Sequence, residues 1–406
     1  MGYSIKGLGG VTAPRGFLAA GVSADVKGRG GTKKDVALLF SQVPAAAAGV
    51  FTRNRVQAAP VILSRERVAR GRLQAVVVNS GNANACTGEQ GLRDAEAMAA
   101  IAAEALGIAP ELVAVASTGV IGVPLPMDRI AAGIRAAAAA LSPEGNADAA
   151  QAILTTDTFP KEWAVQAELS GGRTVTLGGM AKGSGMIHPN MATMLAFVTT
   201  DAPVAPADLQ AALRAAVDRS FNMITVDGDT STNDMVLALA NGLAGGDPIA
   251  PGTDDWAAFA AALEKLLVYL ARAIARDGEG ATKLLEVVVT GAADLEDARR
   301  AARAVAGSNL VKAAVFGCDP NWGRVLAALG YSGATFDPAR VNLWLGSVQV
   351  MAGGAPVPFD EAAARQVLAQ PEVTIRADLG AGEATATAWG CDLSYDYVRI
   401  NADYRT

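Results

Sequence analysis

The stretch "AKGSGMIHPNMATMLAFV", Ala181 to Val198, changes character at Thr193. Before it stand glycines, small residues, Pro189 and His188, the one histidine of the chain. From Thr193 onward the residues have the apolar, β-rich run of a buried strand. On β propensity alone, a threonine opening a strand is an ordinary structural residue. It has a second reading. A threonine at the head of a chain carries its own base, because its free α-amine activates the hydroxyl. Such an amine titrates near about pH 8, so a useful fraction is neutral at physiological pH. Thr193 reaches that position only if the Ala192-Thr193 bond is cut. The surroundings suit a cut: Ala192 is small, Gly183 and Gly185 permit unusual dihedrals, and a strand starting at Thr193 holds the hydroxyl at a sheet's edge. Strained loop residues store about 1–3 kcal/mol each, which helps distort a scissile peptide.

Outward from this stretch the chain alternates strands and helices. "LQAVVVNSG" (Leu73–Gly81) reads as a β-branched strand followed by a helix from about Leu92 to Leu106. "ELVAVASTGVIG" (Glu111–Gly122) reads as a strand, a loop of small residues, and then a helix over about 128–141. Pro206–Phe221 reads as a helix with proline in its first turn. The clearest helix runs from Trp256 to Arg276, with apolar residues three and four apart, and stops at Asp277-Gly278. From Leu284 a further strand, a helix over 295–306 and several strands form a smaller α+β unit. The expected division is residues 1–283 and 284–406.

A chain of 406 residues with 51% hydrophobic and 18% charged residues folds into more than one layer pair. Its net charge is −6, and no basic run or Lys/Arg stripe interleaved with aromatics stands out, which argues against nucleic acid. The longest uncharged run, Val36–Thr52, is shorter than the roughly 20 residues that cross a bilayer and is broken by Pro44. No membrane segment is expected. The start "MGYSIKGLGG" lacks a signal-peptide core and a myristoylation pattern, so the cytoplasm is the expected compartment. Cys86, Cys318 and Cys391 are far apart and form no C-x-x-C pair; they read as small buried residues.

Several familiar motifs are missing. Lys182 is followed by Gly183-Ser184 without a phosphate-loop frame, and no G-x-G-x-x-G occurs. "DGDTSTND" (Asp227–Asp234) opens like a calcium loop but has Thr232 where glycine belongs and Ala238 where the bidentate glutamate belongs, so it reads as a turn network. No metal is expected. A Ser-His-Asp triad would need His188 and lacks a G-x-S-x-G elbow, and Cys86 has no nucleophile context.

"AKGSGMIHPNMATML" closely resembles the self-cleavage segment of the ornithine acetyltransferases, the bifunctional glutamate N-acetyltransferase family of arginine biosynthesis. The resemblance runs along nearly the whole chain: "GVFTRNRVQAAPV" (49–61), "VVNSGNANACTG" (77–88), "STGVIG" (117–122), "ILTTDTFPK" (153–161), "NMITVDGDTSTNDM" (222–235), "DGEGATK" (277–283), "DPNWGR" (319–324) and the terminal "INADYRT".

The resemblance implies cleavage between Ala192 and Thr193 into an α chain, 1–192, and a β chain, 193–406. Thr193 would then take the acetyl group from N-acetylornithine and pass it to glutamate in ping-pong fashion. Thr118 and Gly119 match the family's oxyanion donors; on residue type alone "STG" also suits a helix N-cap. Thr156, Lys182, Glu279, Asn401 and Thr406 match substrate contacts, with Thr155 beside Thr156 leaving the register open. A C-terminus folded back over the site follows from the last two. The resemblance further implies a layered αββα sandwich similar to N-terminal-nucleophile hydrolases with a smaller α+β C-terminal domain. It also implies a heterotetramer of two α and two β chains, no tightly bound cofactor, and acetyl-CoA as a possible co-substrate. Two other readings stand beside it: a self-processing aminopeptidase that hydrolyses its acyl-enzyme, and an uncleaved amino-acid-binding protein.

Overall fold

The uncharged run at Val36 explains the architecture. In the computed structural model, which describes residues 3–6, 9–188 and 194–403, this run is one strand of 16 residues, Val36–Phe51. It is β3, after β1 (Tyr3–Lys6) and β2 (Phe17–Val22). The strands that follow are β4 (Arg72–Asn82), β5 (Val113–Val120), β6 (Lys161–Glu168), β7 (Thr174–Lys182), β8 (Leu195–Thr200) and β9 (Met235–Ala240). They form one sheet in the order β1-β6-β7-β8-β9-β3-β4-β5, with β2 also on β3. The first half of β3 pairs with β2 and β4, its register slips between Phe40 and Ala45, and its second half pairs with β9. Such an irregularity bends a strand. One sheet thereby folds into two leaves.

Side chains alternate across each strand, and the alternation separates three cores. Leu39, Val76, Val78 and Ala116 face Leu195, Phe197, Met235 and Leu237 between the leaves. On the outer face of the first leaf, Leu38, Val77 and Val115 pack on Met98 and Ile134. These belong to α2 (Gly88–Leu106) and α3 (Met127–Ala139), which follow α1 (Ala59–Val68). Next in the chain come α4 (Asn146–Ala152), α5 (Pro206–Asp218) and α6 (Asp254–Arg276). On the outer face of the second leaf, Ala196, Val198 and Val236 pack on Leu213 of α5 and Phe259, Leu263 and Leu266 of α6. The result is an αββα sandwich.

Helix α6 begins two residues earlier than its apolar spacing suggests, because Thr253 accepts a hydrogen bond from Trp256 N at 3.1 Å and caps it. Helix α5 ends at Asp218 rather than Phe221, and a short 3-10 turn, Phe221–Met223, follows.

A second sheet starts at Leu284. It comprises β10 (Leu284–Ala292), β11 (Asn342–Leu345), β12 (Val348–Ala352), β13 (Ala355–Pro356), β14 (Glu372–Asp378) and β15 (Ala384–Cys391), in the order β13-β12-β11-β14-β10-β15. Helices α7 (Leu295–Gly307), α8 (Asn309–Phe316), α9 (Trp322–Gly330), α10 (Glu361–Leu368) and α11 (Tyr395–Asp403) accompany it. Val287, Val289 and Val305 share a cluster with Leu266 and Leu270 of α6, so this sheet packs directly on the sandwich. The cysteines depart from expectation: Cys391 is buried, but Cys318 is half-buried and Cys86 exposed, and all three are free thiols. Among the described residues no helix is long and apolar enough to cross a membrane.

Candidate active site

Strands β4 and β5 run parallel with Ser80 opposite Thr118 and Gly81 opposite Gly119. Thr118 and Gly119 are therefore the end of a strand, not a loop, and the next helix begins only at Met127. Gly119 has φ +131°, and a β-carbon there would lie 2.2 Å from the Gly81 carbonyl oxygen. Only glycine fits. Asn233 fixes this strand end from the other leaf, its amide donating to the carbonyls of Ala83 (2.5 Å) and Ser117 (2.8 Å).

Lys182 is the last residue of β7 and is 9% exposed, not a solvated loop lysine. Its ammonium donates to Thr118 Oγ1 at 3.4 Å and lies 4.0 Å from Asp157. Asp157 also accepts from Lys161 Nζ (2.7 Å) and Gly183 N (2.6 Å), and Lys161 bridges on to Asp277 at 2.6 Å. This network lies under the site with essentially no exposed side chain. Burial pushes the Asp157 carboxyl up, but the Lys182 and Lys161 cations outweigh it and hold it far below the usual carboxylate range. Burial lowers Lys182 from its ordinary value, opposed by Asp157, Asp234 and Glu279.

The segment after β7 turns back beneath α6. Ser184 Oγ donates to the Asp277 carbonyl at 2.6 Å, and Glu279 N donates to the Ser184 carbonyl at 3.0 Å. The two bonds tie the backbone at Asp277 and Glu279 to the turn that leaves β7. A β-carbon on Gly185 would fall within 2.5 Å of the Glu279 carboxylate, so the absence of a side chain at 185 makes room for it. Glu279 is 8% exposed and accepts from Asn401 Nδ2 at 2.8 Å. Asn401 stands on α11, which brings that helix to Glu279.

Thr118, Gly119, Thr155, Thr156, Lys182, Glu279 and Asn401 line one cavity of about 320 Å³. Both threonines of the 155–156 pair line it, which leaves their register open. Met194 also lines it, one residue after Thr193. Ala192, Thr193 and Thr406 lie outside the described residues.

Asp234 was missed as a site residue. It lines the cavity, is 2% exposed, and its Oδ2 has no hydrogen-bond partner among the described residues. Burial pushes its carboxyl well above the usual range, against Ser231 and Lys182. Its signal was present in the Asn-Asp that closes "DGDTSTND". The earlier part of that stretch is the expected turn network: Asp227 accepts from Met186 N (2.6 Å), Ile187 N (2.8 Å) and Asp229 N (3.2 Å). His188 is a packed loop residue, with Nδ1 2.9 Å from Thr225 Oγ1 and Nε2 3.2 Å from Arg303.

Polar groups converging from both leaves on one cavity, above a buried ion-pair network, mark an enzyme of the α/β-sandwich class rather than a packing fault. Residues 18–406 match the ArgJ family, and the chain belongs to it. It is 73% identical over 398 residues to the "Arginine biosynthesis bifunctional protein ArgJ" of Symbiobacterium thermophilum, covering 98% of this chain and 99% of that protein. The protein of the same name from Caldanaerobacter subterraneus subsp. tengcongensis is 55% identical over 402 residues, covering 98% and 99%. The crystal structure of the arginine biosynthesis bifunctional protein argJ from Bacillus halodurans matches with 49% identity and a TM-score of 0.51, over 52% of this chain and 100% of that one.

Proposed function

We propose that this chain cuts itself between Ala192 and Thr193 and then transfers acetyl groups from N-acetylornithine to glutamate through an acetyl-Thr193 intermediate. The observation that carries this reading is the convergence of Thr118, Gly119, Lys182, Glu279 and Asn401 on a cavity whose wall includes Met194. Family membership and the relatives' names support it.

In self-cleavage the Thr193 hydroxyl attacks the Ala192 carbonyl, the acyl group moves from nitrogen to oxygen and so frees the α-amine, and water hydrolyses the resulting ester to separate the two chains and restore the hydroxyl. In turnover that amine takes the hydroxyl proton as Oγ adds to the acetyl carbonyl. The Thr118 hydroxyl and Gly119 N–H stabilise the oxyanion. Ornithine leaves carrying the proton, and the glutamate amine then runs the sequence backwards. The Lys182 ammonium faces a substrate carboxylate and the Glu279 carboxylate a substrate ammonium, with Thr156 and Thr406 as further contacts.

The division of the chain at 283/284, an assembly of two α and two β chains, and a cytoplasmic setting belong to the same reading. The word "bifunctional" in the relatives' names supports acetyl-CoA as a second donor to glutamate. The test is acetyl transfer from labelled N-acetylornithine. Label in N-acetylglutamate, with parallel double-reciprocal lines, is expected. Release of acetate or peptide hydrolysis without an acceptor requirement would favour the aminopeptidase reading, and binding without turnover the binding-protein reading.

A further inference from the structure

A second donor raises the question of where a phosphorylated carrier would lie. Between Asp25 and Asp35 stand Lys27, Arg29, Lys33 and Lys34, in a chain whose net charge is −6. Folding brings this glycine-interrupted segment to the rim of the catalytic cavity. Lys33 Nζ donates to the Thr155 carbonyl at 3.2 Å, and Thr155 lines the catalytic cavity. Lys27, Arg29 and Lys33 also line a neighbouring cavity of about 210 Å³ with Ser80 and Gly81. Those two residues are the β4 register partners of Thr118 and Gly119.

The nearby acids are turned to other work. Asp35 accepts from Ala24 N (2.6 Å) and Val26 N (2.7 Å). Asp25 accepts from Arg29 N (2.8 Å) and Gly30 N (3.1 Å) and pairs with Arg129 at 3.5 Å. Asp148 pairs with Lys34. None of these carboxylates pairs with the side chain of Arg29 or Lys33 in the ion pairs of the described residues. Between the basic rim and the catalytic cavity runs a third hollow of about 430 Å³. It is walled by Val120, Val123, Pro124, Leu125 and Pro126 and shares Val120 with the catalytic cavity and Lys27 and Arg29 with the basic one.

We propose that this arrangement is the binding site of a CoA-type acyl thioester, with its phosphates on Arg29, Lys33 and Lys27, its arm along Val120–Pro126, and its acyl carbon at Thr118 and Gly119. Cations gathered at a cavity mouth bind phosphate by charge-assisted hydrogen bonds. The assignment rests on the reading that acetyl-CoA is a second donor. In the step it serves, Thr193 Oγ adds to the thioester carbonyl, the C–S bond breaks, and the sulfur leaves as a thiol with the proton that the α-amine took from the hydroxyl. The acetyl group then passes to the glutamate amine. N-acetylornithine has no phosphate and has no use for the basic rim.

The test compares wild type with Arg29→Gln and Arg29→Glu in three assays on the same preparations. Both variants leave the Lys33–Thr155 bond in place. The KM for acetyl-CoA is expected to rise about tenfold or more in Arg29→Glu. Transfer from N-acetylornithine, and from acetyl-pantetheine, which carries no phosphate, should be unchanged. Wild-type turnover of acetyl-CoA with an unaltered KM in both variants would overturn the assignment while the donor reading stands, and so would equal loss in all three reactions. A wild type that cannot use acetyl-CoA would remove the donor reading and the assignment together.

Discussion

The Lys182 ammonium donates to Thr118 Oγ1 across 3.4 Å, joining the end of β7 in one leaf to the end of β5 in the other. The bond consumes an acceptor site on the threonine, so the hydroxyl hydrogen is free to point elsewhere. A hydroxyl held this way is preorganised as an oxyanion donor. Thr118→Ala should lower kcat by about 10²–10³-fold, the range found for loss of one such donor, with a much smaller effect on KM. Steady-state kinetics with N-acetylornithine and glutamate measure both.

Glu279 is placed by its backbone bond to Ser184, by the missing side chain at 185 and by Asn401. Glu279→Gln keeps the shape and removes the charge. It should raise the KM of the amino-acid substrate about 10- to 100-fold, as for loss of a charged hydrogen bond. Asn401→Ala should move KM in the same direction by less, since Glu279 keeps its charge. Initial-rate kinetics at varied substrate separate the two.

Lys161 sits between Asp157 and Asp277 with no exposed side chain. Lys161→Met leaves two buried carboxylates short of a counter-charge and should cost about 3–5 kcal/mol. Urea denaturation in a Thr193→Ala background, where the chain is expected to stay whole, reads this loss. Adding Asp277→Asn should recover part of it.

Burial raises the Asp234 carboxyl well above the usual carboxylate range, so the folded state binds its proton more tightly than the unfolded chain does. Between the ordinary carboxylate pKa and the raised one, the folded state binds more protons, and stability therefore falls as pH rises. Asp234→Asn, in the Thr193→Ala background, removes that contribution. Its thermal midpoint should gain on the parent as pH increases from about 4 to about 8. A difference independent of pH would contradict the protonated carboxyl.

The parts of this molecule that were legible in its sequence are those written in local patterns. The spacing in α6 marked a helix, and the run at Val36, too short for a membrane-spanning helix, is a sheet strand. The resemblance named Thr118, Gly119, Thr156, Lys182, Glu279 and Asn401, and these residues line one cavity. What was hidden depends on long-range geometry. No local signal tells that β3 pairs with different partners along its length, or that Ser117-Thr118-Gly119 continues a strand. The basic segment escaped notice because its four cations are spaced by glycines and flanked by acids, and only folding shows that Asp25 and Asp35 spend their oxygens on backbone N–H groups. Asp234 looked like one more turn acid until its burial was known.

Catalysis by Thr193 requires a free amine that the protein itself makes. Intact mass under denaturing conditions, for wild type beside Thr193→Ala, decides whether it does. Two wild-type fragments that meet at Ala192/Thr193 and a single uncut mutant chain are expected. A folded wild type that remains whole would contradict this mechanism, because no α-amine would then be present to activate the threonine.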